Sequence, residues 1–286
     1  MPASAVTPEL GRVGLWSRGE HCTPSLAADA GRLGYGTLWV GGSPAADLAI
    51  VEQLLAATER LVVATGIVNI WTAPAAEVAA SFQRIEAAHP GRFVLGVGIG
   101  HRESNADYRK PFAALVDYLD VLDAEGVPAG RRIISALGPR TLRLAAERSA
   151  GSHPYMSTPE HTRFARETLG EGPLLAVEQR LVPDTDVDAA RATGRAFLKR
   201  YLALSNYRRM LESHGFTAAE LDDGATDAAV DALTPHGAPA ELAAAVRGHL
   251  DAGANHVCVQ VLPADADPVP HLEALAAELG LGGQSE

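Results

Sequence analysis

The sequence predicts an α/β fold, a closed (β/α)8 TIM barrel, from three observations. Short apolar runs alternate with amphipathic helical segments along nearly the whole chain, which is the pattern that builds a parallel sheet. The length of 286 residues is close to the roughly 250 residues of a typical single barrel domain. Apolar residues make up 47% of the chain, so one sizeable core can be buried.

In the first half, the strands are predicted from apolar and β-branched runs. Thr23-Pro24 indicates the start of the first helix, because threonine caps helix N-termini and proline suits the first turn, and Gly34 indicates its end. The predicted strands are 12–16, 37–40, 61–68 and 92–97, and the further helices are 46–57, one starting at Pro74 with Val78, Phe82 and Ile85 on one face, and one carrying Phe112, Leu115, Leu119 and Leu122.

The second half continues the alternation with one long addition. The predicted strands are 132–137, 151–156, 173–182 and 256–262, and the predicted helices are 139–148, 159–170, 238–252 and 267–279. The strand at 151–156 is the least regular, because Pro154 belongs at a strand end or edge. One long helix at 186–215 and a helical segment at 217–233 exceed what a barrel crossover needs. We therefore expect a single domain over 1–286 with a helical insertion after the seventh strand, at about 186–233.

An open doubly wound sheet is the alternative reading of the same alternation. It would show G-x-G-x-x-G directly after a strand, with an acidic residue about 20 positions further on. The nearest match runs from Gly96 to Gly100, lacks the third glycine of that spacing and follows the fourth strand. A closed barrel is therefore favoured.

Charge and cysteine content exclude several classes of partner. With 24 basic and 35 acidic residues the net charge is −11, which disfavours nucleic acid and anionic membranes. Cys22 and Cys258 lie far apart, so neither a disulfide nor a metal site is predicted from them. The first ten residues lack the features of a signal peptide, and no apolar run is long enough to span a membrane. We expect a cytoplasmic protein that holds no metal.

Five stretches in both halves of the chain carry a family resemblance. They are VATGIVNIW at 63–71, GRFVLGVGIGH at 91–101, ALGPR at 136–140, HPY at 153–155 with TPEH at 158–161, and DAGANHVCVQ at 251–260. In this order they resemble the luciferase-like flavin and deazaflavin oxidoreductases, and more specifically the branch that uses coenzyme F-420. The resemblance implies hydride transfer between F-420 and a small-molecule substrate, and the alternative cofactor is FMN, which would make the protein a monooxygenase. At the level of the family it also implies a homodimer.

Residues just after each barrel strand are the candidates for the site, because barrel enzymes work at the carboxyl ends of their strands. At the third strand the resemblance implies a non-proline cis bond between Gly66 and Ile67, which would back the cofactor ring. Without the resemblance, Gly66 simply marks a bulge or a closely packed helix. Asn69 either donates to a cofactor carbonyl or satisfies strand-end backbone groups. Gly98 and Gly100 are the cofactor-binding candidates of the fourth strand.

Leu137 and Gly138 precede Pro139 at the predicted start of a helix. Free N–H groups and the positive end of the helix dipole suit a phosphate there, either the phosphodiester of F-420 or the phosphate of FMN. An ordinary strand-to-helix turn is the alternative.

His101 and His153 are the catalytic candidates, with Tyr155 beside the second of them. A histidine at a strand end can exchange a proton or polarise a carbonyl near neutral pH, although a structural histidine is the alternative in each case. Trp16 and Trp71 are expected to line a substrate pocket, and Trp39 fits the core equally well. The insertion is expected to shape the mouth of the pocket.

The chain departs from the family after the second strand. Relatives often carry an acidic or histidine side chain there, whereas residues 40–43 read VGGS and hold no ionisable group. Backbone groups or Ser43 would then bind the edge of the cofactor ring. Two alternatives therefore stay open: an FMN-dependent monooxygenase, and a flavin-binding barrel without catalytic activity.

Overall fold

Eight parallel strands close into a barrel in the computed structural model, which describes residues 9–105 and 108–283. The third barrel strand has two halves, β3 and β4, which meet at Gly66-Ile67. Pairing of β3 with β5 and of β1 with β9 closes the barrel, so the predicted barrel is confirmed and the open sheet is excluded. The strands are β1 Val13–Arg18, β2 Thr37–Gly41, β3 Val62–Gly66, β4 Val68–Asn69, β5 Phe93–Gly98, β6 Arg132–Ile134, β7 Gly151–Ser152, β8 Leu174–Leu181 and β9 His256–Val261.

The helices follow the strands as the apolar periodicity predicts. Thr23 caps α1 by accepting a hydrogen bond from the Leu26 amide at 3.1 Å, and Gly34 follows the helix with φ of +88°. The α-helices are α1 Pro24–Arg32, α2 Ala49–Ala56, α3 Ala75–Ala88, α4 Pro111–Ala124, α5 Pro139–Arg148, α6 Pro159–Leu169, α7 Val187–Leu202, α8 Ser205–Ser213, α9 Ala218–Leu221, α10 Asp227–Leu233, α11 Pro239–Asp251 and α12 Val269–Leu279.

The segment after β8 differs from the prediction of one long helix at 186–215, which is wrong. The helix breaks at Leu204, whose backbone is extended (φ −93°, ψ 116°), and α8 starts in a new direction that buries Tyr207 and Leu211. The predicted segment 217–233 is likewise interrupted, by a 3-10 turn at Asp222–Gly224 before Thr226 caps α10. We call α7 to α10 the insertion.

Two strands are shorter than predicted. β6 ends at Ile134 and β7 at Ser152, whereas the sequence suggests 132–137 and 151–156. Pro154 has no amide hydrogen to donate to a neighbouring strand, which limits β7. The residues freed from both strands turn into the mouth of the barrel.

The core has two parts with different composition. Mostly aliphatic side chains, with four aromatic ones, fill the shell between sheet and helices, whereas the barrel interior holds Trp16, Trp39 and Cys258. Side chains of the insertion, including Tyr207, continue the interior cluster beyond the strand ends. Cys22 and Cys258 are buried and form no disulfide. Within the described part of the chain, no helix has the length and apolar character needed to span a membrane.

Candidate functional site

A cavity of about 430 Å³ lies at the carboxyl ends of the strands, in the size range of small-molecule sites. Nine of the ten residues predicted for the site line it, and their roles stay predictions. They are Gly66, Ile67, Asn69, Gly100, His101, Leu137, Gly138, His153 and Tyr155. Gly98 lies outside the lining: a Cβ there would be 3.0 Å from Ile67 Cγ1, so Gly98 leaves room for Ile67 to pack.

Gly66 lies where two polar atoms approach the third barrel strand. The Gly66-Ile67 bond is cis, as the resemblance implies. A Cβ at Gly66 would be 2.7 Å from Trp16 Nε1 and 3.1 Å from His153 Nε2. Only glycine therefore lets the indole and the imidazole come this close to the strand.

His153 is held in one tautomer by the backbone of β8. Its Nδ1 lies 2.8 Å from the Ala176 carbonyl oxygen, so Nδ1 carries the hydrogen and Nε2 has a free lone pair. Burial lowers the pKa of His153 to about 4, against the smaller opposing effect of the Ala176 hydrogen bond. The ring is therefore neutral at ordinary pH, and Nε2 is a buried acceptor with no hydrogen-bond partner among the described residues.

Trp16 supplies the complementary donor. Its Nε1–H is also buried and has no acceptor in the described part of the chain. The benzo edge of the same indole covers Gly41, where a Cβ would be 2.0 Å from Trp16 Cζ2. The indole thus fills the space beside the end of the second strand, where residues 40–43 hold no ionisable side chain.

Trp39 lies in the buried layer beneath the cavity, which agrees with the alternative prediction that it is a core residue. Its ring stacks on His153 at 4.2 Å between centroids, and its Nε1 donates to His256 Nε2 at 3.0 Å. His256 in turn donates from Nδ1 to the Gly11 carbonyl at 2.7 Å. This chain of contacts fixes the plane against which His153 lies.

His101 lines the cavity on the side of the insertion. Its Nδ1 donates to Asn206 Oδ1 at 2.9 Å, and the nearby Glu103 carboxylate accepts from the Ser205 amide at 3.1 Å. Burial lowers the pKa of His101, and the hydrogen bond with Asn206 opposes that shift. The loop after β5 is thereby joined to the start of α8.

The side chain of Asn69 hydrogen-bonds within the protein, which is the alternative that the sequence offered to a contact with the cofactor. Its Nδ2 donates to Asn105 Oδ1 at 3.0 Å, and its Oδ1 accepts from the Trp71 amide at 3.1 Å. Trp71 is absent from the cavity lining and donates to the Ile99 carbonyl at 2.8 Å. The expectation that Trp71 lines the pocket is therefore wrong, because this bond holds its indole against the loop after β5.

Gly138 caps α5 at the edge of the cavity. No side chain caps this helix, and a Cβ at Gly138 would meet nothing within 4 Å. Thr141, in the first turn of α5, also lines the cavity. His161 Nε2 donates to the Leu137 carbonyl at 2.9 Å, which holds the turn in place. The helix N-terminus is open to an anionic group.

None of the five residues that the insertion brings to the site was predicted from the sequence. They are Arg200, Tyr201, Leu204, Asn206 and Tyr207. Tyr201 and Tyr207 carried a usable signal, because aromatic residues make up only 5% of the chain and two of them fall within seven residues. Nothing in the local sequence distinguishes Asn206 or Arg200 from residues of an ordinary exposed helix.

The electrostatic character of the lining is mildly positive. Arg18 and Arg200 line the cavity, and no aspartate or glutamate appears among its described lining residues. A second compartment of about 400 Å³ adjoins it across Trp16 and Arg18. Within 9–105 and 108–283, no group of three His, Cys, Asp or Glu side chains is placed to hold a metal.

Comparisons with known proteins agree with this architecture. The family described as luciferase-like monooxygenase matches residues 21–125. A comparison with curated proteins finds no match. An F-420-dependent secondary alcohol dehydrogenase, solved with an F-420-acetone adduct, has 13% identity and a TM-score of 0.74, over 96% of this chain and 99% of its own.

Of two further solved structures, one is an F-420-dependent enzyme and the other contains FMN. The coenzyme F-420-dependent tetrahydromethanopterin reductase of Methanopyrus kandleri has 16% identity and a TM-score of 0.65, over 94% of this chain and 99% of its own. The oxygenating constituent of 3,6-diketocamphane monooxygenase from Pseudomonas putida, in complex with FMN, has 16% identity and a TM-score of 0.67, over 94% and 96%. The sequence match over 21–125 and the shared barrel confirm that this chain resembles the luciferase-like monooxygenase family, whose solved relatives include both F-420- and FMN-dependent enzymes.

Proposed function

We propose that this protein is an oxidoreductase that transfers a hydride between deazaflavin coenzyme F-420 and a small alcohol or the matching carbonyl compound. One observation carries the proposal: the buried Trp16 Nε1–H and the buried His153 Nε2 lone pair both lack a partner among the described residues, and they lie 2.7 and 3.1 Å from the position that a Cβ on Gly66 would take, beside the cavity. A hydroxyl group is the simplest ligand that satisfies both, because it accepts one hydrogen bond and donates another.

The cavity fits a flavin-type cofactor with an anionic tail. Gly66 leaves the third barrel strand flat, and Ile67 presents an apolar surface next to it. The open N-terminus of α5 at Gly138, with the Thr141 hydroxyl nearby, suits the phosphodiester of F-420. Ser43 and the neighbouring backbone are the polar groups available after the second strand. When bound, the deazaflavin accepts or supplies the hydride.

The roles of the chain's own residues follow from their hydrogen-bonding states. Trp16 Nε1–H holds the substrate oxygen, and His153 Nε2 receives the hydroxyl proton as the carbonyl forms, or returns it in the reverse direction. A neutral imidazole is the state that can accept, and the low pKa of His153 keeps it neutral. His101 faces the same cavity and supplies a further polar contact.

Support for F-420 rather than FMN comes from the motifs of the sequence and from the alcohol dehydrogenase, with its TM-score of 0.74. That relative acts on a secondary alcohol with F-420, which matches the hydroxyl inferred from Trp16 and His153. FMN remains the alternative cofactor, because a relative of comparable similarity binds it.

Titration of the purified protein with oxidised F-420 and separately with FMN, followed by fluorescence, tests the proposal. We expect F-420 to bind more tightly, and Gly66→Ala to weaken binding at least tenfold, because the strand next to the cofactor ring must shift to relieve the contact of the new Cβ with Trp16 and His153. Gly31→Ala is the matched control, since a Cβ there meets nothing within 4 Å. Loss of the oxidised F-420 absorbance on adding secondary alcohols then tests hydride transfer.

Each of the other outcomes would indicate a different function for this protein. A preference for FMN would overturn the deazaflavin proposal in favour of a monooxygenase. Binding of neither cofactor would favour the barrel without catalytic activity.

A further inference from the structure

Four of the six tyrosines in the chain line the candidate site. The other two, Tyr35 and Tyr118, lie in the core and donate to the Leu272 and Ala73 carbonyls. In a chain with 5% aromatic residues, this distribution concentrates aromatic surface in one cavity. This concentration indicates a ligand that packs against aromatic rings.

Three of these tyrosines form one continuous surface with Trp16, which we call the aromatic wall: Trp16, Tyr155, Tyr201 and Tyr207. The Tyr155 centroid is 5.1 Å from Trp16, 5.3 Å from Tyr201 and 6.0 Å from Tyr207. Tyr201 and Tyr207 are 5.8 Å apart and both come from the insertion. The wall therefore runs from β1 across the mouth of the barrel.

The hydroxyl groups of the wall are partly engaged with the protein. The Tyr155 hydroxyl lies 2.8 Å from Gln260 Oε1 and 3.1 Å from the Tyr201 hydroxyl. Phe197 packs behind Tyr201 with centroids 4.6 Å apart. These contacts hold the rings in place, and ring surface is what the wall contributes to the cavity.

Charge decides between the two kinds of ligand that aromatic surfaces bind. An aromatic cage can hold a cation, whereas aromatic faces and edges also pack against another planar ring. The described lining contains Arg18, which pairs with Glu20 at 2.7 Å, and Arg200, and it contains no carboxylate, so the lining itself offers a cation no counter-ion. A neutral or anionic planar ring is favoured.

We infer that the substrate is a planar aromatic molecule with a carbinol hydroxyl next to its ring, or the corresponding aryl ketone, seated against the aromatic wall. This inference rests on the proposed function for the hydroxyl and on the wall for the ring. In the oxidation, the carbinol C–H bond breaks and its hydride goes to the oxidised deazaflavin. The O–H proton goes to His153 Nε2, and the carbon–oxygen bond becomes a carbonyl.

Binding to the cofactor-loaded protein, measured by calorimetry, tests the inference with two probes. One is naphthyl methyl carbinol, and the other is its fully hydrogenated decalin analogue, which has the same carbon skeleton and hydroxyl group but a puckered ring system that is not aromatic. We expect the naphthyl compound to bind more tightly by about two- to tenfold, the range that ring–ring packing supplies.

A matched pair of variants separates the ring of Tyr201 from its hydroxyl. Tyr201→Leu should remove about two- to tenfold of the naphthyl affinity and leave the decalin affinity unchanged, whereas Tyr201→Phe should keep the preference. Equal binding of the two probes, or equal weakening of both by Tyr201→Leu, overturns the inference. Naphthyl binding without cofactor reduction would instead contradict the proposed function, and turnover of aliphatic alcohols alone would contradict only the aromatic substrate.

Discussion

The chemistry of His153 is set by a single backbone contact. Donation from Nδ1 to the Ala176 carbonyl leaves Nε2 as the only acceptor that the ring offers to the cavity. Stacking on Trp39 fixes the plane of the ring, and burial keeps it unprotonated by lowering its pKa to about 4. A histidine in this state is suited to receive a proton at Nε2 from a bound hydroxyl group.

Replacing His153 tests that role directly. His153→Phe keeps a ring on Trp39 and removes the acceptor, so we expect kcat for alcohol oxidation to fall by about 10²- to 10⁴-fold while cofactor affinity is retained. Steady-state kinetics with titration of the variant measure both quantities. His271→Gln, at an exposed position on α12, is the control and should behave as the wild type.

The pH profile gives a second check on His153. Since its pKa is lowered to about 4, the acceptor form is fully populated from about pH 5 upward, and kcat should show no inflexion near the ordinary histidine value of about 6.5. An inflexion near 6.5 that disappears in His153→Phe would contradict the buried neutral state.

The sequence alone predicted those site residues that are marked by their position next to a strand end or a helix start. Gly66 ends β3, Gly138 directly precedes the proline that starts α5, and His153 directly follows the short strand β7, so position along the chain indicated all three. Asn206 and Arg200 reach the cavity only because the helix breaks at Leu204. That break depends on burial of Tyr207 and Leu211 over the barrel, which is a long-range contact.

At the scale of elements, the insertion is held together by close packing of α7 on α10. Gly194 lies at the contact, where a Cβ would be 2.3 Å from Thr234 Oγ1 and 3.0 Å from Val230 Cγ1. Arg191 adds an ion pair to Asp231 at 2.6 Å on the outer side. Because α7 also carries Tyr201, this contact supports one side of the aromatic wall.

Gly194→Ala should therefore destabilise the protein by about 1–3 kcal/mol, the usual cost of overpacking. Thr234→Ala removes the nearest atom, so the double variant should recover part of the loss, and urea unfolding of the four proteins measures the coupling. Strict additivity of the two changes would contradict the contact. Gly31→Ala, on an open face of α1, should instead stabilise by about 0.5–1 kcal/mol.

At the scale of the whole molecule, the barrel could be predicted because each strand-helix unit shows its own periodicity. The caps at Thr23 and Gly34 and the apolar face of α3 are readable within a few residues. The lengths of β6 and β7 could not be predicted from the local sequence, because the chain leaves the sheet there to form the cavity wall. The conformation of a cavity wall depends on contacts with residues that are distant in the sequence, and these contacts cannot be inferred from a single segment.

Burial of histidines gives the whole molecule a dependence on pH. His153, His161 and His256 have pKa values lowered to about 4, and His249 to about 3, in each case mainly by desolvation. All four are neutral in the native state, whereas the unfolded chain protonates them below about pH 6.5. Their contribution to stability is therefore complete above about pH 6.5 and is lost as the pH falls towards 4.

The free energy of unfolding should accordingly fall steeply between about pH 6 and 5, with each histidine adding a slope of up to about 1.4 kcal/mol per pH unit. Denaturant unfolding at a series of pH values measures this slope in a range where most carboxylates remain ionised. His249→Gln should reduce the slope by about one proton, because His249 lies wholly buried between Thr162 and Gln179. His271→Gln, on the surface, should leave the slope unchanged, and an equal reduction by both variants would show that the buried histidines are not the source.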